Sequence, residues 1–245
     1  MPGKAVPLDK LLQSQGFGSR KACRQLVEAG RVQVNGQACT DAGTSFLSDG
    51  LLLQVDGQDW PWRAQLYLAL YKPPGFECSR TPQHYPSVLS LLPAHFVTRG
   101  VQPVGRLDAD TSGLLLLTDD GAFNHALASP KRHVAKTYRV QCKHAVSPAQ
   151  IEALLAGVQL HDEPAPLAAL AAVPVDSHSL DLCIDQGKYH QVKRMLAAAG
   201  NRVEGLHRLA MGDVRLGEGC LAGLAEGEWC ELDAAALAQL GKRQP

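Results

Sequence analysis

Leu8, Leu11 and Leu12 recur at three- and four-residue spacing, which predicts one apolar helical face, and Gly16-Phe17-Gly18 ends that helix. Ser19 is placed to cap a second helix running to about Ala29, with Gly30 as its stop. Ala22, Leu26 and Ala29 lie along one side of it, and Arg20, Lys21 and Arg24 make a cationic face. Val32 and Val34 alternate as a strand, and Asn35-Gly36 signals a tight turn. Residues 56–65, DGQDWPWRAQ, are polar and turn-forming and read as a linker. Leu66, Leu68 and Leu70 alternate with Tyr67, Ala69 and Tyr71, a strand that ends at Lys72-Pro73-Pro74-Gly75. Further on, the patterning predicts strands at 113–118, 136–142 and 180–185 and helices at 120–128, 148–156 and 188–199. Strands and helices do not alternate regularly and no internal repeat is visible. The expected class is α+β, with a small N-terminal module over 1–58, a linker over 59–65, and a domain over 66–245 built on a largely antiparallel mixed sheet.

Composition changes this picture little. Of the 245 residues, 45% are hydrophobic and 20% charged, enough apolar content for an ordinary core. No apolar run approaches the roughly 20 residues a membrane helix needs. The opening MPGKAVPLDK lacks the apolar stretch of a signal peptide, so a cytoplasmic protein without membrane contact is expected. The seven cysteines include no C-x-x-C pair, which argues for reduced, mostly buried thiols over a disulfide framework or zinc site.

Charge is informative only in its distribution. Lys plus Arg equals Asp plus Glu, 24 of each. Yet residues 19–31 carry Arg20, Lys21, Arg24 and Arg31 against Glu28. Residues 125–145 carry five cations and no acid, and 186–208 carry Lys188, Lys193, Arg194, Arg202 and Arg208 against Glu204. Residues 146–181 have five acids and no Lys or Arg. Brought together, the three basic stretches would make one phosphate-tracking face; facing apart, they are ordinary solvated surfaces.

The chemistry concentrates in residues 105–121, GRLDADTSGLLLLTDDG. Asp108 falls in a polar loop ahead of the apolar strand Leu114–Leu117, a rigid support for a working carboxylate. On its own, such an aspartate is as readily a turn residue or helix cap. Asp108 with Asp110, and Asp119 with Asp120, are weak metal signals, and the nine histidines show no metal spacing. Gly217-x-Gly219-x-x-x-Gly223 is one residue too wide for a dinucleotide loop.

Taken whole, these strings carry two resemblances. LDKLLQSQGFGSRKACRQLVEAGRVQVNG resembles the S4 RNA-binding module over roughly residues 8–55. GRLDADTSGLLLLTDDG resembles the central motif of the pseudouridine synthases that act on ribosomal RNA. The stretches YKPPG (71–75), KTY (136–138) and QGKYHQVKRML (186–196) match further motifs of that family in order, with Gln186 where many relatives have Glu. The resemblance spans about residues 8–240. Details at 71–80, 84–88, 157–160 and 188–201 are most similar to the branch acting on bacterial small-subunit (16S) rRNA.

What the resemblance implies is an isomerase that flips a uridine out of its stack and rejoins it as pseudouridine, with no cofactor and no metal. Asp108 would be the nucleophile and Arg194 its paired cation, with a phosphate contact as the other reading of Arg194. Tyr138 would stack on uracil and offer a hydroxyl for proton transfer, or else be a half-buried strand aromatic. Arg106 would fill the vacated stack or form a structural ion pair. Lys72, Lys136, His190 and Lys193 count as RNA contacts, as do Arg20, Lys21 and Arg24 of the S4-like module. The expected partner is ribosomal RNA or a ribosome assembly intermediate, bound by a monomer. Alternatives are a 23S rRNA synthase, a non-catalytic S4-type RNA-binding or assembly protein that needs no Asp108, and a nucleoside hydrolase.

Overall fold

The computed structural model describes residues 5–241. The ends of the expected domains, residues 1–4 and 242–245, lie outside the described residues. The described chain divides into two compact units. One comprises the residues up to Leu66 together with Leu92–Val101; the other comprises Tyr67–Leu91 and the residues from Gln102 onward.

The smaller unit starts with β1 (Val6–Pro7), α1 (Leu8–Ser14) and α2 (Arg20–Glu28). Ser19 caps α2, its side chain accepting from the Ala22 amide at 3.2 Å. Strands β2 (Val32–Val34), β3 (Gln37–Ala38), β5 (Leu52–Val55) and β6 (Gln58–Pro61) form a sheet in the order β3-β2-β5-β6, while β4 (Ser45–Phe46) pairs with β1. Leu8, Leu11 and Leu12 pack with Cys23, Val27, Val32, Val34 and Leu53 as the core. The first helix and the strands thus converge on one apolar cluster, as their spacing predicts, but the second helix buries Cys23 and Val27 in place of the expected side of Ala22, Leu26 and Ala29, of which Ala29 is exposed.

Two expectations about boundaries need correction. The stretch read as a linker is largely structured: Gln58–Pro61 pairs with β5, and the Trp62 amide donates to Leu51 O at 2.8 Å. Trp60 and Trp62 pack against the core, and apolar bulk among polar neighbours is what made this strand hard to see. The 66–245 domain is also not contiguous. Helix α3 (Ala94–Arg99) belongs to the smaller unit, where His95 stacks on Phe17 at 4.4 Å and Arg99 donates to Gln15 and to Ala64 O.

The larger unit is built on a nine-stranded sheet. Its strands are β7 (Tyr67–Lys72), β8 (Gln102–Pro103), β9 (Ser112–Thr118), β10 (Lys136–Cys142), β11 (Ala171–Pro174), β12 (Ser179–Ile184), β13 (Val203–Met211), β14 (Val214–Arg215) and β15 (Trp229–Glu231). The main order is β11-β12-β10-β13-β9-β7-β15, with β14 on β13 and β8 on β9. All pairings are antiparallel except β13 with β9. Helices α4 (Gly121–Ala128), α5 (Pro148–Ala156), α6 (Gln191–Ala198) and α7 (Ala234–Gln239) complete the unit. No described helix is long and apolar enough to cross a membrane.

Strand β9 explains its own sequence. Leu114, Leu115, Leu116 and Leu117 have no exposed surface, because both faces of this central strand are covered. Gly113 sits at φ +106° opposite Arg208 in the parallel β9–β13 contact. A Cβ there would lie 2.3 Å from Arg208 O, so the two backbones can meet only at glycine. Gly113→Ala is expected to cost at least about 3 kcal/mol of stability, read as the urea midpoint of the full chain.

In the smaller unit, Asp9 is the buried charge, 1% exposed, and Arg20 and Arg24 both donate to its Oδ2 at 2.8 Å. Burial pushes the Asp9 carboxyl up, but the two guanidiniums outweigh it and hold it below its ordinary value of 3.8. Its contribution to stability is therefore complete above about pH 4 and is lost as pH falls through the lower folded value. Asp9→Asn should lower the unfolding free energy by roughly 1–3 kcal/mol at pH 7 and make little difference at pH 2, measured by denaturant titration at both pH values.

Candidate active site

The loop between β8 and β9 carries Asp108, and a buried lysine holds that loop in place. Lys72 ends β7 with no exposed surface, and its Nζ donates to Pro73 O (2.9 Å), Ala109 O (3.2 Å) and Thr111 O (2.8 Å). The Gly75 amide also donates to Ala109 O at 2.7 Å, and the Cys78 thiol accepts from the Leu107 amide at 3.4 Å. Burial lowers the Lys72 ammonium's pKa and raises that of the Cys78 thiol. The loop is thus tied on either side of Asp108, to the end of β7 after it and to Cys78 before it. The carboxylate borders a cavity of about 100 Å³ whose lining includes Arg106, Lys136, Tyr138, His190, Lys193 and Arg208. Asp108 is the one carboxylate in that lining.

Helix α6 supplies the partners of Asp108. Lys193 Nζ lies 2.9 Å from Asp108 Oδ2 and 2.8 Å from Asp110 Oδ1, bridging the two carboxylates. His190 Nε2 lies 3.3 Å from Asp108 Oδ1. Burial lowers the Lys193 pKa, but Asp110 and Asp108 outweigh it and the net shift is upward. For Asp110, burial raises the pKa and Lys193 outweighs it, so the net shift is downward. His190 precedes the helix at φ +46°, a conformation that buried Gln191 supports by accepting from the Gly187 and Lys188 amides at 2.9 Å each.

Here the sequence expectation fails. Arg194 does not pair with Asp108: its guanidinium pairs with Asp162 and donates to Tyr189 O. Lys193, expected on phosphate, takes the carboxylate. Neighbouring helical residues point about 100° apart, and the helix phase brings Lys193, not Arg194, into the cavity lining. Lys72 and Lys136 are corrected too. Lys136 is 6% exposed and donates to Val134 O at 2.7 Å, so neither lysine lies where a hydrated phosphate could reach it.

Tyr138 is where a cavity aromatic was expected: 7% exposed on β10, two residues from Lys136 and therefore on the same sheet face. Arg106 is exposed at the rim, and His190 is half-buried beside Asp108. Arg20, Lys21 and Arg24 lie on α2 of the smaller unit, with two of the three engaged by Asp9. The acidic stretch 146–181 folds against the basic ones: Glu163 pairs with Lys188, Asp181 with Arg139 and Asp162 with Arg194. The three basic stretches are consequently less cationic than their counts suggest. Asp120, a metal candidate by sequence, caps α4 by accepting from the Ala122 and Phe123 amides.

Sequence reasoning missed two residues that shape the site, Gln191 and Arg208. Arg208 is 2% exposed on β13, opposite Tyr138 on β10 and Gly113 on β9. Its signal was weak, because the alternation along β13 is broken by a register shift between Arg208 and Ala210.

The site and its sheet define a class of protein, and comparison with known proteins agrees. The family described as RNA pseudouridylate synthase matches residues 66–198, and the S4 domain matches residues 6–46. The chain belongs to the RNA pseudouridylate synthase family and carries an N-terminal S4 domain. It is 36% identical over 236 residues to the ribosomal small subunit pseudouridine synthase A of Pasteurella multocida, covering 96% of this chain and 99% of that protein. It is 38% identical over 240 residues to an uncharacterized RNA pseudouridine synthase of Bacillus subtilis, covering 97% and 99%. A solved pseudouridylate synthase superposes with a TM-score of 0.66 at 33% identity, covering 96% of this chain and 99% of that one.

The pairing of Lys193 with Asp108 yields a direct comparison of neighbours. Lys193→Ala is expected to cut the single-turnover rate of pseudouridine formation by about 100-fold at saturating RNA. Arg194→Ala should stay within about tenfold of wild type. Rapid-quench measurement of both variants checks the assignment, and the reverse order would restore Arg194 as the partner.

Proposed function

We propose that this chain isomerises a uridine of small-subunit ribosomal RNA to pseudouridine, with Asp108 as the nucleophile. The observation that carries the reading is the placement of Asp108 as the one carboxylate in a cavity that Tyr138 shares. The names of the full-length relatives support the small-subunit assignment. The working setting is the cytoplasm, on ribosomal RNA or an assembly intermediate, and the protein acts as a monomer.

The geometry suits the chemistry in stages. The uridine leaves its stack and enters beside Tyr138, which lies against the base. Lys193 holds one oxygen of Asp108 and His190 flanks the other, so the carboxylate is oriented before the sugar arrives. A carboxylate oxygen bonds to C1′ as the N1–C1′ bond breaks. The base turns within the cavity, C5 bonds to C1′, the carboxylate departs, the hydrogen on C5 is lost, and N1 takes up a proton. The Tyr138 hydroxyl makes no hydrogen bond to a described residue and is free to serve that transfer. Arg106, exposed at the rim, fills the space the uridine vacates. Arg20, Lys21 and Arg24 of the S4 domain hold the RNA through phosphate contacts.

Asp108→Asn should abolish pseudouridine formation on a 16S transcript while leaving the melting temperature and RNA affinity nearly unchanged. Pseudouridine mapping of 16S and 23S transcripts in the same experiment separates the branches. Turnover by a folded Asp108→Asn protein would overturn the nucleophile, and modification of 23S alone would overturn the substrate.

A further inference from the structure

Three cations are buried around the Asp108 cavity, and none has a carboxylate within 4 Å among the described residues: Lys72, Lys136 and Arg208. Lys72 is accounted for by its three carbonyls. Lys136 and Arg208 are not. Lys136 gives one hydrogen bond, to Val134 O. Arg208 Nε donates to Leu114 O at 2.6 Å, but its Nη2 is buried with no partner. Thr111 Oγ1, in the same lining, is likewise buried and unpartnered.

Burying an uncompensated cation costs several kcal/mol, so two beside one cavity call for a negative occupant. The neighbouring acids are committed elsewhere. Asp185, on the Lys136 side, is 2.8 Å from His133, and Asp108 with Asp110 shares Lys193. Burial, then the charge of Arg208, lowers the pKa of Lys136, so each cation is raised in energy by the other. An RNA phosphate is a poor candidate for the occupant. It is bulky and strongly hydrated, and the exposed Arg106 at the rim suits it better than residues 6% and 2% exposed. A flat base inserted against Tyr138 reaches the same sheet face that Lys136 and Arg208 share.

We propose that Lys136 and Arg208 form a cationic floor that stabilises the negative charge carried by uracil once the N1–C1′ bond has broken. The inference rests on the reading of Asp108 above. When the bond from Asp108 to C1′ forms, the N1–C1′ electron pair stays with the base, which becomes an anion delocalised over N1 and its carbonyl oxygens. The charge persists until C5 bonds to C1′ and the Asp108 carboxylate leaves with the electron pair of its C1′–O bond; the C5 hydrogen then leaves as a proton and N1 takes one up, so atoms and charge balance. A fixed positive potential from two buried cations favours this intermediate over the neutral nucleotide. It also retains the detached base while it turns.

The test uses the full-length protein and the rRNA transcript that wild type modifies, made with uridine or with 5-fluorouridine. Fluorine withdraws electrons and makes the base anion intrinsically more stable. Lys136→Met should slow single-turnover loss of the N-glycoside by about 100-fold on the uridine transcript but about tenfold or less on the fluorinated one. RNA affinity should change by less than about twofold, and the melting temperature should be unchanged or raised, since an apolar side chain replaces a buried cation. Arg208→Lys should keep the rate within about tenfold of wild type, whereas Arg208→Met should lose as much as Lys136→Met. Should Arg208→Met fail to fold, Lys136→Met decides alone. An equal loss on both transcripts, or an unchanged rate, overturns the proposal. Neither result touches the Asp108 reading, which fails only if Asp108→Asn retains turnover.

Discussion

The buried ammonium of Lys72 is the interaction on which the site depends. One amino group with three donors meets three carbonyls, and two of those belong to the loop that carries Asp108. A loop held by backbone turns alone would wander by more than the tolerance of a working carboxylate. Here the end of β7 and the start of β9 are clamped together over a sheet whose middle strand is buried on both faces. The cost of burying Lys72 is offset by hydrogen bonds to charge, the stronger kind, and none of its donors is left to solvent.

A second constraint is the crowding of the β9–β13 junction. Gly113 lets the two backbones meet, and this places Arg208 beside Tyr138 beneath the cavity. The site thus has a rigid floor made of strands and a rim made of the α6 turn, where His190 takes a left-handed conformation. Lys193 reaches down from that rim to Asp108 and Asp110. The proposed nucleophile is held from below by a carbonyl-bound lysine and from above by an ammonium that bridges two acids.

Charge is distributed by folding as much as by sequence. The acid-only stretch 146–181 returns to neutralise Arg139, Lys188 and Arg194. What remains cationic in the larger unit is therefore more localised than the linear count implies, and the cavity is where the excess persists: apart from the paired Lys188, its lining holds Arg106, Lys136, Lys193 and Arg208 against Asp108. In the S4 domain, buried Asp9 draws Arg20 and Arg24 together while leaving both side chains about half exposed. That ion pair orders the cationic face and reduces its net charge.

Local order in this protein was legible from the chain. The leucine spacing of α1, the Ser19 cap, the strand at 113–118 and the helix at 148–156 follow from periodicity and capping chemistry, which act over a few residues. Asp108 was singled out by a long motif string, and Tyr138 by the short KTY string that follows it in order. What the chain could not reveal depends on phase and long-range contact. Whether Lys193 or Arg194 faces Asp108 turns on the rotation of α6 about its axis, a matter of a single residue step that core packing settles. Lys72 and Lys136 look like surface lysines until the sheet closes over them. Arg208 enters the site only because β13 inserts between β9 and β10, strands separated by many residues in sequence. Sequence determined which elements form and which residue types carry the chemistry; the tertiary structure alone decided which charges meet, because burial and pairing are properties of neighbours the chain brings together only on folding.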